Sequence, residues 1–283
     1  VKDAERGAVL ELNGEYEFVT LKGEGLFDQH QPFSGSIWVK PAERRMTQTL
    51  VGNSGQKGTF WRGWDFILDS LNRPTFRLIH ALPHDVLAVS AKKAIPTDSW
   101  SHVAFSYDGS GRAAGVKLYV NGTPIAQDIV YDCLQRSIYP IAFNKSRTDR
   151  ALRLGKSYRG FTGEYGIFSG RMDDFRLFGR AVSRVEMEEL AGKAPLSDRL
   201  AAALQQANEE GLEALAEAWQ SQHPDPLAAE IATLRRQHFS LLDTVAEVMI
   251  MKELDAPRPT FVLRRGNYDE PTEQVEPGTP GAI

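Results

Sequence analysis

The chain has 283 residues, 42% of them hydrophobic and 25% charged, which is the composition of a globular protein with a sizeable core. Its net charge of −4, without blocks of like charge, gives no reason to expect a nucleic-acid partner. The one cysteine, Cys133, excludes an internal disulfide, a thiolate metal cage and a Cys-x-x-Cys-His haem attachment within these residues. No apolar run approaches the ~20 residues of a membrane-spanning helix, so we expect no membrane insertion.

Residues 7 to about 190 are predicted to form an all-β domain. Apolar and polar residues alternate there in short segments, as they do in strands that are buried on one face. These segments are Leu10–Leu12, Phe33–Lys40, Trp64–Leu68, Phe76–His80, Trp100–Tyr107, Val116–Val120, Leu152–Leu154 and Met172–Phe178. Asp108-Gly109 and Asn121-Gly122 are turn dipeptides, so Trp100 to Gly122 should hold two strands and the turn between them. Many short strands between such turns indicate a sandwich or jelly roll. Residues 123–150 lack this regularity and are predicted to form a long loop.

The composition changes after Lys193 to one that is typical of helices. Before this point, Ser183 and Glu186 have the spacing of a capping box and predict a short helix that closes the sandwich. Residues 197–222 are predicted to form one helix, and Pro226 to begin the next, with Asp225 as its N-cap.

Apolar residues recur in the second helix at alternating steps of four and three, which is the pattern of a heptad seam. The seam consists of Leu227, Ile231, Leu234, His238, Leu241, Val245 and Val248. We therefore expect an antiparallel helical hairpin in which His238 is a polar group among apolar neighbours. The sequence then predicts a jelly-roll domain at 1–192, a helical hairpin at 193–256 and an extended segment at 257–283. The last segment should lead into a missing downstream domain, because the chain reads as a piece of a longer protein.

Four motifs follow one another with ordinary spacing ahead of Ser183 and Glu186. They are Trp-Ser-His-Val-Ala from Trp100, Lys-Leu-Tyr-Val-Asn-Gly from Lys117, Leu-Arg-Leu-Gly from Leu152, and Gly-Arg-Met-Asp-Asp-Phe-Arg-Leu-Phe from Gly170. Together they resemble the laminin-G-like branch of the concanavalin A-like jelly rolls. This resemblance implies a mainly β fold of two curved antiparallel sheets, here followed by the helical hairpin. Members of this branch mostly bind carbohydrates or proteins, some of them through calcium.

A narrower resemblance links two runs of this chain to large planctomycete-type multidomain proteins that carry a cytochrome-c-like domain. The runs extend from Gly109 to Gly122 and from Met249 to Gly278. The resemblance implies an exported bacterial protein, located in the periplasm or on the cell surface. Any haem would then bind in a missing part of the parent protein, and this chain would hold no haem cofactor. The partners of this chain would be other domains of the same polypeptide.

Aromatic and polar residues near two predicted loops suggest a glycan site at one rim of the sandwich, because sugar-binding surfaces combine flat aromatic faces with polar edges. The candidates are Trp61, Arg62, Asp65, Arg77, His80 and His84. Alternation places Trp64 in the core, and Trp61 fits an edge-capping role as well as a sugar-stacking one. His80 and His84 are separated by Pro83, so their spacing does not predict a metal pair.

Asp173 is the best single candidate for a structural calcium ligand. Alternation places it on the probable core face with Phe175 and Leu177, where a carboxylate needs a cation or hydrogen-bond donors. The alternative is a structural Asp with an Arg partner or loop amides. No cluster of the six to eight oxygens that calcium requires is visible in the sequence.

The sequence does not predict catalysis. Glucanases of this fold carry closely spaced Glu and Asp residues on one strand, and no such pattern is present. A nucleophile elbow, a phosphate-binding Gly-rich loop and a zinc-protease motif are also missing. We therefore expect a non-catalytic binding module that recognises a glycan. The alternative is a structural spacer or protein-interaction domain that organises neighbouring haem-associated domains.

Overall fold

The computed structural model describes residues 1–21, 25–43, 47–55, 61–140, 151–156, 166–206, 209–223, 226–246, 258–276 and 278. The chain divides into two compact units, Val1–Thr244 and Val245–Ile283. In the ranges given, no helix combines the length and the apolar character needed to cross a membrane.

The first unit contains two antiparallel sheets, here called sheet I and sheet II. Sheet I consists of β3 (Leu10–Asn13), β5 (Phe33–Pro41), β10 (Ser101–Tyr107), β11 (Val116–Val120), β12 (Thr123–Pro124) and β15 (Ser169–Phe178). Sheet II consists of β4 (Val19–Leu21), β6 (Gln48–Gly52), β7 (Gly63–Leu68), β8 (Pro74–Ala81), β9 (Asp85–Ala91), β13 (Gln127–Asp132) and β14 (Leu152–Leu154). The strand order is β12-β11-β10-β5-β15-β3 in sheet I and β13-β9-β8-β7-β6-β14-β4 in sheet II.

Aromatic side chains from both sheets fill the space between them. Phe33 and Phe105 of sheet I meet Trp64 and Phe76 of sheet II, and all four are fully buried. The Phe76 and Phe105 rings stack with centroids 4.1 Å apart. This confirms the predicted β-sandwich and the core position of Trp64.

The strand pair predicted at Trp100 to Gly122 is confirmed. β10 and β11 are antiparallel neighbours, with Val103 opposite Val120 and Tyr107 opposite Val116. The long loop predicted at 123–150 is wrong in part, because β12 and β13 lie within it, while residues 141–150 lie outside the described ranges. β13 is an edge strand whose side chains are mostly exposed, so it lacks the alternation that identifies a strand in sequence.

Two further strands carry no alternation because both of their faces are buried. Every residue of β6 and of β9 is buried. Such strands have continuous rather than alternating apolar sequences, and the sequence analysis did not assign them.

Four helices follow the sandwich within the described ranges: α1 (Arg184–Leu190), α2 (Leu196–Gln206), α3 (Glu209–Gln222) and α4 (Pro226–Thr244). The predicted capping box of α1 is present, and the backbone N–H of Ser183 donates to Glu186 Oε2 at 2.9 Å. The N-cap expected at Asp225 lies outside the described residues.

The predicted helical hairpin is present, but its parts divide differently from the expectation. Residues 197–222 hold two helices, α2 and α3, instead of one. Leu196 and Leu200 of α2 pack with Ala214 and Ala218 of α3 and with Val185 of α1. Two helices bury this apolar face against each other, which one straight helix could not do.

The described residues of the heptad seam are exposed instead of packed against a neighbouring arm, and Val248 lies outside the described residues. Leu227 is 61% exposed and Leu241 is 69% exposed, and His238 also faces solvent. The expectation that His238 lies among buried apolar side chains is therefore wrong. α4 packs against the sandwich through a different face, on which Phe239 is 8% exposed.

Two short hairpins complete the described structure. β1 (Lys2–Asp3) pairs with β2 (Gly7–Ala8) at the start of the first unit. In the second unit, β16 (Thr260–Leu263) pairs with β17 (Pro271–Val275), both within the segment that was predicted to be extended.

Candidate functional site

Four of the predicted site residues lie at one end of sheet II. Trp61 and Arg62 directly precede β7, and Gly63 at its start is paired with Ile79 near the end of β8. His80 follows on β8, and His84 is exposed in the turn that leads into β9. The antiparallel register thus gathers them at a single rim of the sandwich.

Asp65 and Arg77 form an internal ion pair. Arg77 Nε lies 2.8 Å from Asp65 Oδ1, and Arg77 Nη2 lies 3.2 Å from Asp65 Oδ2. The Asp65 side chain is fully buried and that of Arg77 is 12% exposed. Ser54 Oγ also donates to Asp65 Oδ2, at 3.3 Å. A buried carboxylate requires partners of this kind, so both residues support the sheet beneath the rim.

His80 connects the rim loops to one another. Its Nε2 lies 2.8 Å from Arg62 Nη2 and its Nδ1 lies 2.7 Å from the carbonyl oxygen of Ser137. Because a guanidinium only donates, Nε2 accepts and the Nδ1–H donates to Ser137, which is the neutral ring. The ring is buried and both of its nitrogens have partners, so His80 fixes the loops in place.

Trp61 caps the edge of sheet II. It is half-buried against the apolar cluster of Ile79, Val86 and Ala88, together with Leu82. Its φ of 59° lies in the left-handed region, which few non-glycine residues adopt. This packing corresponds to the edge-capping alternative, and Trp61 as a whole stays partly exposed.

A groove that the sequence analysis did not predict lies beside this rim. Its volume is about 710 Å³, and its walls come from three parts of the first unit. They are the loop at Ser110–Arg112 after β10, the segment Asp132–Gln135 at the end of β13, and one face of α4. Apolar side chains of Leu134, Leu234, Phe239 and Leu242 line it together with Arg112, Asp132, Gln135, Arg235 and His238.

Three contacts hold α4 at the rim. The Phe239 ring packs on Gly111, where an added Cβ would lie 2.7 Å from Phe239 Cζ. Gly111 also has a φ of +71°, in the left-handed region. Glycine therefore suits this position because of its backbone conformation and because the Phe239 ring leaves no room for a Cβ. The backbone N–H of Ser137 donates to Asp243 Oδ1 at 2.9 Å, and Arg235 Nη1 donates to the Asp108 carbonyl at 3.4 Å.

Ser137 links the predicted site to the groove. Its carbonyl accepts from His80, its N–H donates to Asp243 of α4, and its hydroxyl donates to Asp28. The predicted residues and the groove therefore border the same rim segment. The groove was missed because its third wall, on α4, comes about 100 residues after the other two walls in the chain. One signal was available, since Phe239 and Leu242 are apolar residues of α4 that fall outside the heptad seam.

Asp173 lies on the outer face of sheet I, so its predicted place on the core face is wrong. A register shift between Asp173 and Arg176, with Asp174 at a φ of 45°, reverses the alternation. Met172 faces the core, and Asp173 accepts from Arg6 Nε at 2.7 Å. The alternative of an Arg partner is therefore the one observed.

In the described part of the chain, no group of three or more His, Cys, Asp or Glu residues could hold a metal ion. Calcium binding stays a prediction.

Arg6 belongs to an aromatic cluster on the same outer face. Its guanidinium lies 4.1 Å from the centroid of the Trp38 ring and 5.5 Å from that of Trp100. His102 is buried beside Trp38, with ring centroids 5.4 Å apart. The pKa of His102 is lowered to about 4, mainly because the ring is buried; the charge of Asp174 opposes this shift, and the cations Arg6 and Arg176 contribute to it.

Comparisons with solved structures agree with the sandwich fold. The CBM40 domain of the Ruminococcus gnavus IT-sialidase is 18% identical, with a TM-score of 0.50 over 65% of this chain and 96% of that chain. The same domain bound to α2,3-sialyllactose is 18% identical, with a TM-score of 0.49 over 65% of this chain and 95% of that chain. A heptameric SAP-like pentraxin from Limulus polyphemus is 16% identical, with a TM-score of 0.44 over 64% of this chain and 80% of that chain. At these identities the likeness concerns the fold alone.

A family model described as the concanavalin A-like lectin/glucanases superfamily, of laminin-G type, matches residues 13–187, which is more than half of the chain. No curated protein matches the chain. The matched residues run from the end of β3 into α1 and include the larger strands of both sheets. The chain therefore belongs to the concanavalin A-like lectin/glucanases superfamily.

Proposed function

We propose that this chain is a non-catalytic carbohydrate-binding module and that it holds a glycan at the rim groove between the sandwich and α4. The observation that carries the proposal is the groove itself, in which polar side chains surround an apolar wall. Ligand sites of this size typically combine an apolar lining with a few polar groups that fix orientation. The fold adds support, because a CBM40 domain of the same architecture binds sialyllactose.

The groove offers both kinds of contact that a sugar ring needs. Leu134 and Phe239 supply apolar surface for the C–H face of the ring. The Gln135 amide can donate and accept, and Arg112 can donate to ring hydroxyls. Asp132 Oδ1 accepts from the Ala113 backbone N–H at 2.8 Å, which fixes the carboxylate in one orientation.

The predicted site residues take different roles in this proposal. The open part of Trp61 and the exposed turn at His84 extend the binding surface along the rim. Asp65, Arg77 and His80 are buried and keep the rim loops in position, and Arg62 acts with His80.

The wider context follows from the resemblance to multidomain proteins. The module would belong to an exported bacterial protein, in the periplasm or on the cell surface, beside haem-associated domains outside this chain. The alternative function is a spacer or interaction domain for those neighbours. The exposed apolar seam of α4, which includes Leu227, Ile231 and Leu241, favours that alternative over an isolated lectin.

A glycan array with the purified chain tests the proposal, followed by calorimetry on each binder. Gln135→Ala and Trp61→Ala should each weaken binding, Gln135→Ala more strongly because its amide lines the groove. Trp219→Ala is the matched control, since this tryptophan is 63% exposed on α3 and does not line the groove. If no glycan binds, the spacer function is left. Hydrolysis of a polysaccharide by the purified chain would contradict the non-catalytic assignment.

A further inference from the structure

Two arginines line the groove, each from a different part of the chain. Arg112 comes from the loop after β10, and Arg235 comes from α4. Asp132 is the one carboxylate among the described lining residues. Two more carboxylates lie near the groove: Asp108 accepts from Ser110 N within its own loop, and Asp243 of α4 accepts from Ser137 N at the rim.

The three carboxylates are each engaged by a backbone amide. Asp132 Oδ1 accepts from Ala113 N at 2.8 Å, and Asp108 Oδ1 accepts from Ser110 N at 2.8 Å. Asp243 Oδ1 accepts from Ser137 N at 2.9 Å. Amide donors offset part of the negative charge of a carboxylate, so these acids oppose the two arginines less than free carboxylates would.

The guanidinium groups keep most of their donors available. Arg235 makes one hydrogen bond, at 3.4 Å, to the neutral carbonyl of Asp108. Arg112 is exposed, and among the residues that the structure describes it forms no ion pair. A guanidinium has five N–H donors in a planar fork that matches a carboxylate or a sulfate. Among the described lining residues themselves, two guanidinium groups accompany one carboxylate, so the balance of formal charge in the lining is positive.

We infer that the groove selects a negatively charged sugar, whose carboxylate or sulfate lies between Arg112 and Arg235 while its ring packs on the apolar wall. The inference rests on the glycan-binding function proposed above and names its ligand class. Since Arg235 belongs to α4, the site is composite and extends beyond the residues 13–187 that match the family. The apolar walls exclude part of the solvent, which strengthens the charge–charge contact.

Trigalacturonic acid and its methyl ester test the charge directly, because the two sugars differ only in the ionised carboxylates. Calorimetry with the whole chain should give a dissociation constant at least about tenfold lower for the acid, as charged hydrogen bonds predict. Added salt should weaken binding of the acid and leave the ester unaffected. A sulfated galactose oligosaccharide in a parallel titration distinguishes sulfate from carboxylate as the preferred anion.

Arg112→Gln and Arg235→Gln should each weaken binding of the acid by about tenfold or more. Arg236→Gln is the control, because Arg236 is exposed on the same helix and does not line the groove. Arg235→Lys keeps the cation and should retain part of the affinity, and thermal melting of each variant checks that it folds.

Each outcome bears on one of the two proposals. If the acid and its ester bind equally, or if the glutamine variants bind the acid as the parent chain does, the charge inference is overturned and glycan binding stands. If neither of these sugars binds but a neutral glycan on the array does, the charge inference again fails alone. Failure of every glycan, neutral or charged, would instead overturn the proposed function.

Discussion

His102 is a buried base whose protonation is linked to folding. Its pKa falls from an ordinary value of 6.5 to about 4 in the folded chain, mainly because burial disfavours the charged ring. Between these values the unfolded chain binds a proton that the folded chain does not bind. The contribution of His102 to stability is therefore complete above pH 6.5 and is lost as the pH falls towards 4.

Replacing His102 with phenylalanine should remove this pH dependence. The parent chain should lose about 2 kcal/mol of unfolding free energy from His102 between pH 7 and pH 5. His102→Phe keeps a ring beside Trp38 but cannot be protonated. Its loss of unfolding free energy between pH 7 and pH 5 should therefore be about 2 kcal/mol smaller than that of the parent chain. Urea unfolding at both pH values measures the difference. Equal losses in the two proteins would mean that His102 is protonated in the folded state.

Asp65 and Arg77 were predicted to bind a ligand, but their ion pair indicates that they stabilise the fold, and this can be tested. Arg77→Met leaves the fully buried Asp65 without its guanidinium and should cost about 3–5 kcal/mol of unfolding free energy. The double variant Asp65→Leu, Arg77→Met removes both charges and should cost less than the single one. Urea unfolding measures both values. If Arg77→Met is as stable as the parent chain, the ion pair does not stabilise the fold.

At the residue scale, alternation predicts burial well in regular strands and fails at irregular ones. It placed Trp64 in the core correctly, because β7 is regular over its whole length. It placed Asp173 on the wrong face, because one extra residue in the bulge reverses the side-chain direction. No sequence signal marks this bulge, since its residue in the left-handed region is Asp174 instead of glycine.

At the element scale, the Phe239 ring makes the buried apolar contact between α4 and the sandwich. Phe239→Ala removes the ring that packs on Gly111 and should cost about 3 kcal/mol of docking free energy. Hydrogen exchange in Pro226–Thr244 should then become faster, while β10 and β8 keep their protection. Leu241→Ala is the control, because Leu241 is 69% exposed. Unchanged exchange in Phe239→Ala would show that other contacts hold the helix.

Helix positions were easier to predict than helix packing. Pro226 and the capping box at Ser183 gave correct helix starts, because both signals are local. The heptad pattern predicted a buried seam, whereas the structure uses Phe239, one residue away from it. A heptad repeat specifies which face of a helix is apolar, but it does not specify the surface that this face meets.

For the whole molecule, the two compact units should differ in stability. In the second unit, β16 and β17 form a two-stranded hairpin whose side chains are almost all exposed. Two strands without a buried face are marginally stable in water. Their amides should therefore exchange much faster than those of β10, which lies between two partners in sheet I. Mass spectrometry after hydrogen exchange measures both regions in one experiment, and equal protection would contradict this expectation.

The fold of the described residues was more predictable than the candidate binding site. Turn dipeptides and alternation identify neighbouring strands, since the residues involved are close in sequence. The groove joins Arg112, Gln135 and Arg235, and no local pattern brings these three together. Distant residues of this kind meet through the packing of Phe239, the hydrogen bond from Ser137 to Asp243 and the one from Arg235 to Asp108.

The attachment of α4 gives the groove a mechanical property. Tension applied to the chain beyond Thr244 would reach α4 before any strand of the sandwich. The helix is fastened by Phe239 and a few hydrogen bonds, whereas β5 and β10 are each paired along their length with two neighbours. The helix should therefore peel away at a lower force than the sheets resist. A pull from the C-terminal side would open the groove, and would release a glycan bound there as proposed, while the sandwich stays folded.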